Sequence, residues 1–122
     1  MHNKVHLSDA EFEVMKILWC NSPPITTNAI MSQLPEETKW KASTLATILS
    51  RLSNKGFVTS RKEGKERMYY PEVDEESYLS YETKKFMKKY HNNSLNSFFN
   101  ILYKKEDFEN SDIQSLYKKL DE

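Results

Sequence analysis

Residues 41–71 read KASTLATILSRLSNKGFVTSRKEGKERMYYP, and the stretch contains both glycines of the chain, Gly56 and Gly64. Leu45, Ile48, Leu49 and Leu52 recur at i, i+3, i+4 and i+7, which predicts a helix over about 41–55 with one buried stripe. Gly56 follows as its stop, because helices commonly end on a left-handed position that glycine occupies without strain. At 100° per residue the side away from the stripe carries Ser43, Thr47, Ser50 and Asn54, flanked by Ala46 and Arg51. A merely solvated face usually alternates Lys and Glu. Small hydroxyls and amides can instead press into a groove, where short polar side chains read base edges and basic ones hold phosphates. Lys41, Ser43, Thr44, Ala46, Thr47, Ser50, Arg51 and Lys55 are therefore the candidate DNA contacts of this helix.

Beyond Gly56, FVTSRKEGKERMYYP places β-branched and aromatic residues on both sides of Lys62-Glu63-Gly64-Lys65, the pattern of an antiparallel hairpin over about 58–70. Pro71 ends its second strand. The tip gathers Arg61, Lys62, Lys65 and Arg67 against Glu63 and Glu66. A groove-compatible helix followed at once by a basic hairpin is the order of a winged helix-turn-helix, with the hairpin as a wing along the DNA backbone. An ordinary charged surface hairpin is the alternative for this segment taken alone.

Charge distribution favours the wing. The whole chain is neutral, with 18 Lys and Arg against 18 Asp and Glu. Residues 39–67 nevertheless hold eight basic residues against two acidic ones, net +6, while residues 74–122 hold eight against ten. The positive field is concentrated where the DNA contacts are expected, and the C-terminal part is a poor DNA ligand. A winged helix that bound only protein would have no reason to gather that charge.

Upstream, Ser8 and Glu11 form an S-x-x-E capping box, with Leu7 and Phe12 as its hydrophobic staple, so a helix begins at Ser8. Its stripe runs through Phe12, Met15, Leu18 and Trp19, widened by Val14 and Ile17, and stops near Asn21 to Pro24. A short helix from Thr26 or Thr27 buries Ala29, Ile30 and Leu34 before Pro35. Trp19, Trp40 and Phe57 are the expected core aromatics. The single cysteine, Cys20, is read as a small core or semi-core residue in a reducing compartment. No apolar run approaches the roughly 20 residues of a membrane span, and MHNKVHLSDAEFE lacks the layout of a signal peptide, so the chain is expected to be cytoplasmic.

After Pro71 the composition changes. Asp74, Glu75, Glu76 and Ser77 suit a helix start, and a helix to about Tyr90 carries Tyr78, Leu79, Phe86, Met87 and Tyr90. His91-Asn92-Asn93-Ser94 breaks it. A second helix holds Leu95, Phe98, Phe99, Ile101 and Leu102. A third, behind a Ser111 cap, spaces Ile113, Leu116, Tyr117 and Leu120. Three such helices carry more large apolar residues than one protomer can bury, which calls for a partner, most economically a second copy. Tyr78, Phe86, Tyr90, Leu95, Phe98, Phe99, Leu102, Ile113, Leu116, Tyr117 and Leu120 are the expected dimerisation residues. A bundle folding back on the winged domain is the alternative. The predicted architecture is mainly α with a small β-hairpin: a winged helix-turn-helix over 1–73, then a helical dimerisation region over 74–122.

Nothing in the chain reads as an enzyme. His2, His6 and His91 are too scattered for a metal site and are read as solvated. No catalytic signature accompanies Cys20, and both glycines have structural roles, so no cofactor is implied.

The ordered motifs SDAEFEVMKILW (8–19), TNAI (27–30), WKASTLATILSRLSNKGF (40–57), a wing ending in YYP (69–71) and NSLNSFFNILYKKEDFENSDIQSLYKKL (93–120) resemble the penicillinase-repressor family of the BlaI/MecI type. The resemblance runs the length of the chain. It implies a homodimeric repressor of β-lactam resistance genes that binds a palindromic double-stranded operator. It also implies inactivation by proteolysis in the C-terminal half, triggered through a membrane-bound sensor protease. The family's scissile bond falls around Asn100, Ile101 and Leu102, where this chain has Asn-Ile in place of Asn-Phe. A winged-helix repressor of an unrelated operon, released by a small ligand or another signal, is the alternative, as is a protein-binding winged helix.

Overall fold

The Ser8 hydroxyl accepts the backbone N–H of Glu11 at 3.2 Å while the Glu11 carboxylate accepts that of Ser8 at 2.7 Å, the reciprocal capping box that the sequence predicts. It opens α1 (Asp9–Cys20) in a computed structural model that describes residues 5–105 and 110–121. Next come β1 (Ile25–Thr26), α2 (Thr27–Gln33), a 3-10 turn (Glu36–Thr38), α3 (Ala42–Asn54), β2 (Val58–Glu63), β3 (Glu66–Pro71), α4 (Glu75–His91), α5 (Leu95–Lys105) and α6 (Asn110–Leu120). Thr26 caps α2, its hydroxyl accepting the Ala29 N–H.

The three strands form an antiparallel sheet in the order β1-β3-β2, with Ile25 opposite Tyr69 and Ser60 opposite Tyr69 on the other side. The sequence predicts only the hairpin; two residues are too few to show a strand period. Gly56 lies at φ 81°, with Phe57 N–H bonded to Leu52 O and Gly56 N–H to Ser53 O, a complete Schellman ending for α3. The wing turn is tighter than expected. Lys62 and Glu63 belong to β2, leaving the two-residue loop Gly64-Lys65, with Gly64 alone at positive φ as in a type II′ turn.

The core joins Leu7, Val14, Met15, Leu18, Ile25, Ile30, Leu45, Ile48, Leu49, Leu52, Phe57 and Val58, with Trp19, Trp40 and Leu34 half-buried against it. Cys20 is exposed, a correction to its expected semi-core place. It sits about 200° around α1 from the buried Leu18 and so falls off the stripe.

The chain divides into two compact units, Met1–Glu82 and Thr83–Glu122. The first unit thus runs past the expected boundary at residue 73 and takes in the first two turns of α4. Tyr78 is the reason. It is 4 % exposed, its ring centroid lies 6.0 Å from those of Phe12 and Trp19 and 5.6 Å from that of Phe57, and its hydroxyl accepts the buried Leu7 N–H at 3.0 Å. That placement corrects its expected role in dimerisation: Tyr78 is core of the winged unit. Burial, reinforced by Glu82 and Glu11, pushes its hydroxyl up to about 12. Trp19 Nε1–H donates to Val73 O at 2.8 Å, tying the entry to α4 to the same cluster.

In the second unit, Phe86 meets Tyr90 and Phe98, and Phe98 meets Phe99. His91 is not the solvated loop residue expected. Its ring lies 5.4 Å from both Phe86 and Phe98, and Nδ1 is 2.9 Å from Ser97 Oγ. Asn92 and Asn93, at φ 50° and 61°, turn the chain, and the Ser94 hydroxyl caps α5 by accepting Ser97 N–H. Ser111, expected to cap the last helix, lies within α6. Phe86, Tyr90, Leu95, Ile101, Tyr103, Leu116, Tyr117 and Leu120 remain exposed, while Phe98, Phe99, Leu102 and Ile113 are half-buried.

Candidate nucleic-acid interface

The four buried residues of α3, Leu45, Ile48, Leu49 and Leu52, dock it on the core and turn its other side outward. Lys41, Ser43, Thr44, Ala46, Thr47, Ser50 and Arg51 are all exposed there, as the periodicity predicts. With α2 and the intervening turn ahead of it, α3 is the second helix of a helix-turn-helix. Thr47 Oγ1 donates to Ser43 O at 3.0 Å, so its hydrogen is used within the helix. What it offers outward is a pair of lone pairs and a methyl group, a surface suited to base amino groups or the thymine methyl.

The wing cations Arg61, Lys62, Lys65 and Arg67 are exposed. The pleat separates them. Lys62 stands opposite Arg67 and shares their face with Ser60, whose Oγ accepts from Arg67 Nη1 at 2.9 Å, whereas Arg61, opposite Met68, points to the other face. Among the described residues no ion pair joins Lys41, Arg51 or the four wing cations. They are available to phosphates.

Lys55 differs. Its Nζ is bonded to the Glu11 carboxylate and the His6 carbonyl, a pairing that the sequence does not predict. A buried acid 44 residues upstream left no local signal in the sequence. Burial alone would raise the Glu11 carboxyl; the Lys55 side chain, then Ser8, donate to its charged form and hold it below the ordinary value. With its folded pKa depressed, Glu11 contributes stability that is fully present above the ordinary glutamate value and lost as pH falls through the lowered one. Thermal melts across the acid range should show wild type losing stability more steeply than Glu11→Gln.

Among the described residues no group of three His, Cys, Asp or Glu could hold a metal, and no helix is long and apolar enough to cross a membrane. His2 lies outside the described residues.

If α3 reads bases, Thr47→Ala should weaken operator binding by on the order of 1–2 kcal/mol and binding to random DNA much less. Wing substitutions to Ala should weaken binding to all sequences and flatten the salt dependence by about one unit per lost phosphate contact. Titrations at several salt concentrations check both. Whether Arg61 or the Lys62 and Arg67 pair produces the flattening reports which wing face meets the backbone.

A helix-turn-helix followed by a two-stranded basic wing defines a winged-helix domain of the DNA-binding class. A sequence model of the penicillinase repressor matches residues 7–122, and the chain belongs to that family. It is 34% identical over 116 residues to the penicillinase repressor of Bacillus licheniformis, covering 95% of this chain and 90% of that protein. It is 35% identical over 118 residues to the methicillin resistance regulatory protein MecI of Staphylococcus aureus (strain N315), covering 95% and 94%. Among solved structures, the DNA-binding domain of the repressor BlaI aligns with a TM-score of 0.55 at 40% identity, covering 64% of this chain and 94% of that one. Monomeric Bacillus licheniformis BlaI in complex with the blaP half-operator aligns at 0.53 with the same identity and coverage.

Proposed function

We propose that this chain is a homodimeric transcriptional repressor that grips a palindromic operator through α3 and the wing of each copy. The observation that carries this reading is the exposed face of small polar residues on α3 beside wing cations that form no ion pair among the described residues, in a family where a 40%-identical relative is solved on a half-operator. Residues 83–122 join the copies. Their exposed Leu95, Ile101, Leu116, Tyr117 and Leu120 present apolar surface that a single copy leaves in water. The names of the relatives point to β-lactam resistance genes as targets. Footprinting on DNA upstream of the chain's own gene tests the reading, with protection of an inverted repeat as the expected result and the absence of any protected repeat as the outcome against it.

Release from DNA follows proteolysis in α5, in the region of Asn100, Ile101 and Leu102, where the first two are exposed and Leu102 is half-buried. Cutting there removes apolar surface from both copies and favours dissociation, with DNA release by mass action. A membrane sensor protease system acting on the chain is the matching partner. Mass spectrometry of the chain recovered from β-lactam-treated cells should show a cut between Asn100 and Leu102. An intact chain alongside induced target genes would refute this route.

A further inference from the structure

The carboxylate that caps α1 also holds the far end of α3. Glu11 Oε1 accepts the Ser8 N–H at 2.7 Å and the Lys55 ammonium at 2.5 Å, and Lys55 Nζ donates to His6 O at 3.2 Å. Lys55 is the C-cap of α3, so residues 6–8, the start of α1 and the end of α3 meet at one side chain. That side chain is 2 % exposed, against 30 % for Lys55.

Burial of Leu45, Ile48, Leu49 and Leu52 sets which face of α3 lies on the core. A charge-assisted hydrogen bond to a held acceptor is short and directional. At the other end of α3, the N-cap residue Lys41 makes no side-chain capping bond. The ion pair at Lys55 therefore adds a directional tie at the C-terminal end of α3. A rotation of about 10° moves a side-chain tip some 5 Å from the helix axis by about 1 Å. That shift is enough to lose a hydrogen bond to a base edge.

We infer that Glu11 is a positioning residue for sequence reading: by holding Lys55 it sets the rotation of α3, and Lys55 serves that placement rather than binding a phosphate. The inference rests on the reading of α3 as the recognition helix. Glu11→Gln keeps the size and the capping acceptor and removes the charge; Lys55→Met keeps the apolar stem and removes the ammonium. The intact chain and its variants are titrated on the footprinted operator and on a scrambled duplex of equal length, at several salt concentrations.

Each substitution should lower the operator-to-scrambled affinity ratio about tenfold, the loss expected for one misaligned base contact, and leave the salt slope on scrambled DNA unchanged. The ratio cancels the one-charge change that each variant makes. The double variant should be no worse than either single one, and Lys55→Arg, which keeps the ion pair, should restore the ratio. Should Lys55→Met, with its unpaired buried carboxylate, fail to fold, Glu11→Gln alone decides. Equal losses on both duplexes with a slope flattened by about one unit in Lys55→Met would make Lys55 a phosphate ligand and overturn the inference. An unchanged ratio in Glu11→Gln beside a lowered one in Thr47→Ala would overturn it while leaving α3 as the reading helix. An unchanged ratio in both would remove both readings.

Discussion

A chain ending at Glu82 should keep its winged fold and recognise a half-site, yet hold the full operator about 10²- to 10⁴-fold more weakly than the intact chain. The first compact unit closes at Glu82, with its core and the Tyr78 anchor complete. What such a fragment lacks is the proposed linkage between copies. Two half-sites bound by one dimer benefit from a high effective concentration, and separate monomers lose it without losing a single protein–DNA contact. Sedimentation should find the fragment monomeric, and its affinity for an isolated half-site should match that of the intact chain. A fragment that dimerises and binds the whole operator like the intact chain would place the linkage within the winged unit.

Ending the chain at residue 73 instead, or replacing Tyr78 by Ala, should lower the stability of the winged unit by about 3–5 kcal/mol, the usual range for deleting a buried aromatic ring. Tyr78 fills the space between Phe12, Trp19 and Phe57, and its removal leaves the Leu7 N–H without its acceptor. Tyr78→Phe separates the two contributions. It keeps the ring and loses the hydroxyl, and should cost about 1–3 kcal/mol. Urea unfolding followed by the fluorescence of Trp19, which sits in this cluster, provides the measurement. Folded Tyr78→Ala should sediment as wild type does; selective loss of dimer with unchanged stability would return Tyr78 to the interface between copies.

Most of the candidate site was readable in the sequence because its determinants are local. A period of 3.6 sorts α3 into a buried stripe and an outer face, and Ser43, Thr47, Ser50 and Arg51 stand where that period puts them. Lys55 stands among the basic residues of this segment, and its ion pair with Glu11 is not legible in the sequence because the partner lies 44 residues away.

The same division holds for the whole molecule. The capping box at Ser8 and Glu11, the Gly56 stop, the helix periods and the hairpin are legible in the amino-acid order, since each depends on groups within a few residues of one another. Long-range packing is what makes Ile25 and Thr26 a strand, closes the winged unit at Glu82, places Tyr78 in its core and brings Glu11 to Lys55. A two-residue strand has no period and exists only through its pairing with Tyr69 and Met68. An aromatic residue on an amphipathic helix looks the same in sequence whether it faces its own domain or another copy. In each of these cases the deciding contact joins residues more than 40 positions apart, a distance at which neither periodicity nor capping leaves a trace.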